Sequence, residues 1–238
     1  MSKRFERQSM LLGEQATKTL SRKRVALFGV GGVGSYAAEA LARCGIGKIE
    51  LIDSDTVSES NINRQLCALT STVGLPKVSV VAARLRDINP DIEISERIEF
   101  FLPENADTFD FSSYDYVIDA IDTVSAKIEL AVRCARMGIP IISSMGTGNK
   151  LDPTALRVSD LSKTEGCPLA RVMRRELRAR GLTHLKVVWS PEPPISPVTP
   201  QYSERGKSIP GSIAFVPSVA GLIAAGEVVK DLIKIDNK

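Results

Sequence analysis

At 238 residues, with 43% hydrophobic and 25% charged positions, the chain has the make-up of an ordinary soluble globular protein, one large domain with an elaborated second half. A net charge of +3 is too mild to establish a nucleic-acid partner, and no apolar run of about 18 residues offers a membrane span. The four cysteines, Cys44, Cys67, Cys134 and Cys167, contain no CxxC pair, which argues against a disulfide framework or a structural zinc ribbon.

The opening residues, Met1 to Arg7, lack the apolar stretch of a signal peptide, so a cytoplasmic protein is expected. Gln8 to Lys23 reads as one helix that adds no strand and packs across the domain or a partner. Apolar runs at 24–29, 48–52, 92–97, 115–119 and 139–144 then alternate with helix-period segments at 33–44, 76–88 and 123–137, with Pro76 placed to start the second helix. That alternation is the pattern of successive βα units. The expected fold is Rossmann-like α/β, a doubly wound and mostly parallel sheet. It divides into a helical arm (1–23), a nucleotide-binding core (24–150) and an elaborated C-terminal half (151–238).

Past Gly148 the spacing predicts a strand at 154–160, a basic helix from Pro168 to Arg180 and a strand at 185–190. Six prolines between Pro191 and Pro210 predict a long loop. The last helix, Pro217 to Ile235, is interrupted by Gly221 and Gly226; packing on the sheet is preferred to contact with a membrane surface. His184 has no cysteine or second histidine near it and reads as a surface residue, so histidine-based catalysis is not expected.

Chemistry is concentrated after the first strand, where Gly29, Gly31, Gly32 and Gly34 turn the chain into a helix. Such a loop brings backbone N–H groups against phosphate oxygens at a helix N-terminus. Asp53, about 20 positions further on, suits a ribose hydroxyl. Asp55, Asn61, Asn63, Arg64 and Gln65 follow a strand's C-terminal end, and Lys77 comes next. The guanidinium of Arg64 and the ammonium of Lys77 together suit a triphosphate better than a dinucleotide. Asp119 and Asp122 mark the exit of another strand, and carboxylates beside phosphates point to Mg²⁺. Arg171, Arg174, Arg175 and Arg178 fall on one face of the basic helix; they suit an RNA backbone, with a solvated basic face as the alternative. Cys167, at a helix start, could have a depressed thiol pKa but is taken as an incidental neighbour of the cap, and Cys67 lies nearer the polar cluster without support as a nucleophile.

From Arg4 to about Gly148 the sequence resembles the ThiF/MoeB/HesA superfamily of ATP-dependent adenylating enzymes, through Arg4-Phe-Glu-Arg7-Gln8, the glycine loop, Asp53, the Asn61 to Gln65 cluster, Lys77 and Asp122. The resemblance implies that the glycines cradle ATP and Asp53 takes the ribose. Asn61, Arg64, Gln65 and Lys77 would hold the phosphates, and Asp122 would bind Mg²⁺. It also makes Arg7 an arginine finger supplied across a homodimer, and the second half a substrate-side and dimer-side elaboration.

The missing CxxC pairs set the chain apart from the zinc-bearing adenylyltransferases of thiamine and molybdopterin synthesis. Asp152-Pro-Thr, Ser159 to Thr164 and Ser190-Pro-Glu192 instead resemble the branch that uses ATP to cyclise threonylcarbamoyladenosine in tRNA. That branch implies adenylation of the threonyl carboxylate and expulsion of AMP as the ring closes. The resemblance leaves open a monovalent cation and a sulfur-acceptor partner. Three rivals stand beside it: an adenylyltransferase for the C-terminus of a ubiquitin-like sulfur carrier, an NAD-dependent oxidoreductase, and a non-catalytic nucleotide-binding module. The oxidoreductase leaves Arg64, Lys77 and Asp122 without a task.

Overall fold

The computed structural model describes residues 3–202, 206 and 208–234. Its centre is a seven-stranded sheet: β1 (Arg24–Phe28), β2 (Lys48–Ile52), β3 (Glu93–Arg97), β4 (Tyr116–Asp119), β5 (Ile141–Ser144), β6 (Arg157–Asp160) and β7 (Lys186–Trp189). The spatial order is β3-β2-β1-β4-β5-β7-β6, with every neighbouring pair parallel except β6 against β7. Strand order reverses between β1 and β4, the place where open α/β sheets hold ligands outside the strands' C-terminal ends. The doubly wound expectation is met, and the second half adds β7 and the antiparallel edge strand β6 to the same sheet.

Alternation along β1 sorts the layers. Val25 and Leu27 face a core shared with α3 (Gly34–Arg43), α4 (Lys77–Ile88) and α7 (Phe215–Leu232), whereas Ala26 and Phe28 face an aromatic cluster of Phe101, Phe109, Phe111 and Tyr114. A third cluster packs α5 (Val124–Met137) and α6 (Pro168–Arg178) against β7. α5 ends at Gly138 in the left-handed conformation, the usual αL stop.

Three expectations need correction. The N-terminal helix is two helices, α1 (Glu6–Leu12) and α2 (Glu14–Leu20), because Gly13 adopts φ 80° and ψ 157°, a conformation that breaks the ladder. The proline-rich stretch is not wholly irregular: Gln201–Tyr202 (β8) pairs with Ser208–Ile209 (β9) in the one interval free of proline, with residues 203–205 and 207 outside the described set. The last helix runs unbroken through Gly221 and Gly226. Gly221 is the crossing point on α3, where any Cβ would overlap the Val33 carbonyl; Ile235 lies outside the described residues.

The arm docks at the far end of α3 from the glycine loop. Phe5 is buried against Gly45, and Gln8 Nε2 donates to the Cys44 carbonyl at 2.9 Å.

Candidate active site

A cleft of about 520 Å³ opens at the strand-order reversal, and it gathers most of the residues singled out above. Gly29, Gly31 and Gly32 form one side; Asp53, Asp55, Asn61, Arg64, Gln65 and Lys77 form another; Asp122 stands at the exit of β4. Gly29 adopts φ 90°, and a Cβ there would sit 2.6 Å from the Ala120 carbonyl, so β1 and β4 approach as closely as they do only because the residue is glycine. At Gly34 a Cβ would overlap the Gly29 carbonyl, which is what lets α3 begin directly on the loop.

Asp53 is first of all an organiser of that loop. Its Oδ2 accepts the Val30 N–H at 2.6 Å and its Oδ1 accepts the Asp55 N–H at 2.8 Å, leaving a second lone pair on each oxygen for a ligand hydroxyl. Burial pushes its pKa up, opposed by these two N–H groups and by Lys77. Lys77, at the start of α4, is buried with its Nζ 2.7 Å from Asp55 Oδ2. Asn61 is also buried and accepts the Ser58 N–H, while Arg64 Nη1 donates to the Ser60 carbonyl and to Asn63 Oδ1. Asn63 Nδ2 reaches the Ser212 carbonyl at 3.0 Å and so ties the polar cluster to the segment that precedes α7.

Two expectations change in detail, those for Asp119 and for Arg174. Asp119 does not face the cleft as a second metal carboxylate; it is fully buried, paired with Lys127 Nζ at 3.0 Å and accepting from Ser143 Oγ. Arg7 is exposed on α1 and lines no part of the cleft. Arg171, Arg175 and Arg178 are exposed on α6, but Arg174 turns inward to the Thr164 carbonyl and hydroxyl, fixing the turn before the helix. The Cys67 thiol is buried, which pushes its pKa up to about 11, and Cys167 is buried as well. Neither thiol is offered to a ligand. His184 is exposed and lies beside Asp160.

Sequence reasoning missed the other half of the cleft, which is walled by Ser144 to Gly148, Leu169, Gly211 and Ser212. Gly146 and Gly148 directly follow the C-terminal end of β5, and that position was the available signal. Asn149, at φ 57°, staples this wall to the proline-rich strap: its N–H donates to the Gly211 carbonyl, its Oδ1 accepts the Gly211 N–H, and its carbonyl accepts the Ile195 N–H. Glu192 adds a second clamp by accepting the backbone N–H groups of Leu151 and Asp152.

A glycine turn at a helix start, a half-buried carboxylate bonded to that turn and two cationic side chains define a nucleotide-binding α/β protein with a phosphate-binding cleft. The chain matches the ThiF family over residues 5–238 and belongs to it. It is similar to tRNA threonylcarbamoyladenosine dehydratase of Bacillus subtilis, with 47% identity over 244 residues covering 98% of this chain and 96% of that one. The crystal structure of E. coli tRNA N6-threonylcarbamoyladenosine dehydratase in complex with ATP is 37% identical, with a TM-score of 0.88 and coverage of 97% of this chain and 94% of that one. The molybdopterin-synthase adenylyltransferase of Salmonella typhimurium aligns over only 142 residues, 59% of this chain and 57% of that one, at 37% identity. No helix among the described residues is long and apolar enough to cross a membrane.

Proposed function

We propose that this chain catalyses the ATP-dependent dehydration of threonylcarbamoyladenosine in tRNA, giving the cyclic nucleoside, AMP and pyrophosphate. The observation that carries this reading is the cleft's division in two: a charged half beside the glycine loop, where Arg64 and Lys77 stand among Asp53, Asp55 and Asp122, and an uncharged half built by residues 144–148 together with Leu169, Gly211 and Ser212 from the second part of the chain, over which the Bacillus subtilis dehydratase remains aligned. A ubiquitin-like carrier as acceptor is less well supported, because similarity to the molybdopterin-synthase adenylyltransferase ends within 142 residues.

In this reading the glycine loop and the α3 N-terminus cradle the phosphates and Asp53 holds the ribose. Lys77 and Arg64 neutralise the charge that develops as the threonyl carboxylate attacks the α-phosphate and pyrophosphate leaves. The same side chain then closes the ring and expels AMP, so no enzymic nucleophile is required. Mg²⁺ fits the donor set. Asp122 offers one exposed carboxylate at the rim, and no group of three or more acidic, histidine or cysteine side chains capable of caging a metal stands among the described residues. One carboxylate completed by substrate phosphates is a common arrangement for Mg²⁺, which would supply charge neutralisation there.

Arg7 acts in trans, across a homodimer. α3 is about 15 Å long, and the arm docks at the end opposite the glycine loop, so Arg7 is held away from the cleft of its own protomer. On α6, Leu169 lines the cleft and the exposed Arg171, Arg175 and Arg178 extend from it, which supports an RNA backbone running along this helix.

Incubation of threonylcarbamoyl-bearing tRNA with the protein, ATP and Mg²⁺ should convert the nucleoside to a product lighter by one water, with one AMP formed per event. An unchanged nucleoside mass would overturn the reading. Replacing Arg171, Arg175 and Arg178 together by alanine should raise KM for tRNA by about tenfold or more, leave kcat within about twofold, and flatten the salt dependence by roughly two to three phosphate equivalents. Unchanged salt dependence would make these arginines a solvated face only. Arg174→Ala should lower thermal stability instead, since it removes the ties to Thr164.

A further inference from the structure

Lys127 lies on α5 with none of its side chain exposed, and a buried ammonium is tolerated only when it is paired and fully hydrogen-bonded. Its Nζ donates to Asp119 Oδ1 at 3.0 Å, to the Ile121 carbonyl at 3.1 Å and to the Ser144 carbonyl at 2.8 Å, which satisfies all three donors. Asp119 Oδ1 also accepts the Ile121 N–H at 3.2 Å, and Asp119 Oδ2 accepts from Ser143 Oγ at 2.5 Å. Both backbone polar groups of Ile121, the residue immediately before Asp122, are therefore held by one buried ion pair. The third tie fixes Ser144, the first residue of the wall that continues to Gly148.

We propose that Lys127 is a positioning residue that sets where the Asp122 carboxylate stands relative to the Ser144 to Gly148 wall. It thereby joins the metal-and-phosphate half of the cleft to the half that receives the acyl group. This inference rests on the reading of the cleft given above. If Lys127 served only to neutralise Asp119, a neutral pair of similar shape would replace the ion pair without consequence for the cleft. Positioning makes a different demand, because a methionine at 127 has no donors for the carbonyls of Ile121 and Ser144.

The test compares wild type, Lys127→Met and the double variant Asp119→Asn/Lys127→Met in the full chain. Three quantities are measured: the thermal midpoint, ATP affinity without metal, and Mn²⁺ binding at fixed ATP, read by electron paramagnetic resonance of the free ion. The double variant should regain thermal stability lost in Lys127→Met, because the orphaned Asp119 charge is gone. Both variants should bind Mn²⁺ about tenfold more weakly than wild type, the scale seen when support behind a metal ligand is removed. ATP affinity without metal should stay within about twofold, since the glycine loop, Asp53 and Lys77 are untouched. A double variant that regains stability and wild-type Mn²⁺ affinity together would overturn the proposal. Failure of both variants to fold would also overturn it, by making the lysine indispensable to folding rather than to placement. These readouts need no tRNA, so a wild-type protein that binds ATP and Mn²⁺ but leaves tRNA unchanged would sink the functional reading separately.

Discussion

Lys77→Ala should slow tRNA-dependent AMP release by about a thousandfold while the protein remains folded, the scale expected when a preorganised group facing developing charge is removed. The side chain is only 6% exposed, so its ammonium is held in place before any ligand arrives, with Asp55 Oδ2 at 2.7 Å. Removing it does more than subtract one attraction. Asp55 loses its partner and Asp53 loses the nearby positive charge that opposes the rise of its pKa with burial, so both carboxylates are left beside the phosphate site. Lys77→Met keeps the volume of the stem and isolates the charge; it should behave like alanine in kcat and fold more like wild type. Quenched-flow measurement of AMP release, with circular dichroism to confirm folding, checks both variants, and a loss smaller than tenfold would remove Lys77 from the phosphate site.

Arg7→Ala and Arg64→Ala should each be nearly inactive alone, with losses of about a thousandfold or more if Arg7 supplies transition-state charge in the manner of an arginine finger. Mixed in equal amounts and allowed to exchange, they should recover about a quarter of wild-type activity. Random pairing makes half of the dimers mixed, and each mixed dimer of twofold symmetry holds one complete site when the finger comes from the other protomer. Were Arg7 to act on its own protomer's cleft, every site would lack one arginine and nothing would be recovered. Activity against the mixing ratio, with size-exclusion chromatography to follow exchange, separates the two.

Why was the nucleotide half legible in the chain and the remainder less so? Gly29 and Gly34 are demanded by backbone approaches that no other residue allows, so the loop appears directly as a spacing. The succession of βα units was legible from the alternation of apolar runs with helix-period segments, whereas the order of the strands in the sheet was not. Lys127 left no such trace: a lysine in a helix reads as a solvent-facing residue, and only the return of Asp119, Ile121 and Ser144 to one point makes it a core residue. Arg174 is the same lesson reversed, since spacing alone put it with Arg171, Arg175 and Arg178, and the Thr164 turn drew it inward. The helix break at Gly13 is written locally, in a glycine at positive φ, while the closure of the proline-rich strap on Asn149 depends on contacts between residues far apart in sequence.

α7 carries a further meaning for how the molecule comes into being. Pro217 packs beside Gly32 and Gly221 against Val33, so the outer support of a loop encoded near residue 30 arrives only after every strand of the main sheet has been made. During synthesis the strands through Trp189 can pair while the α3 surface that α7 covers is still bare. The cleft is finished only once α7 has left the ribosome and crossed α3. A ligand stabilises the states that bind it, so nucleotide held on the glycine loop would favour the fold in which α7 supports that loop.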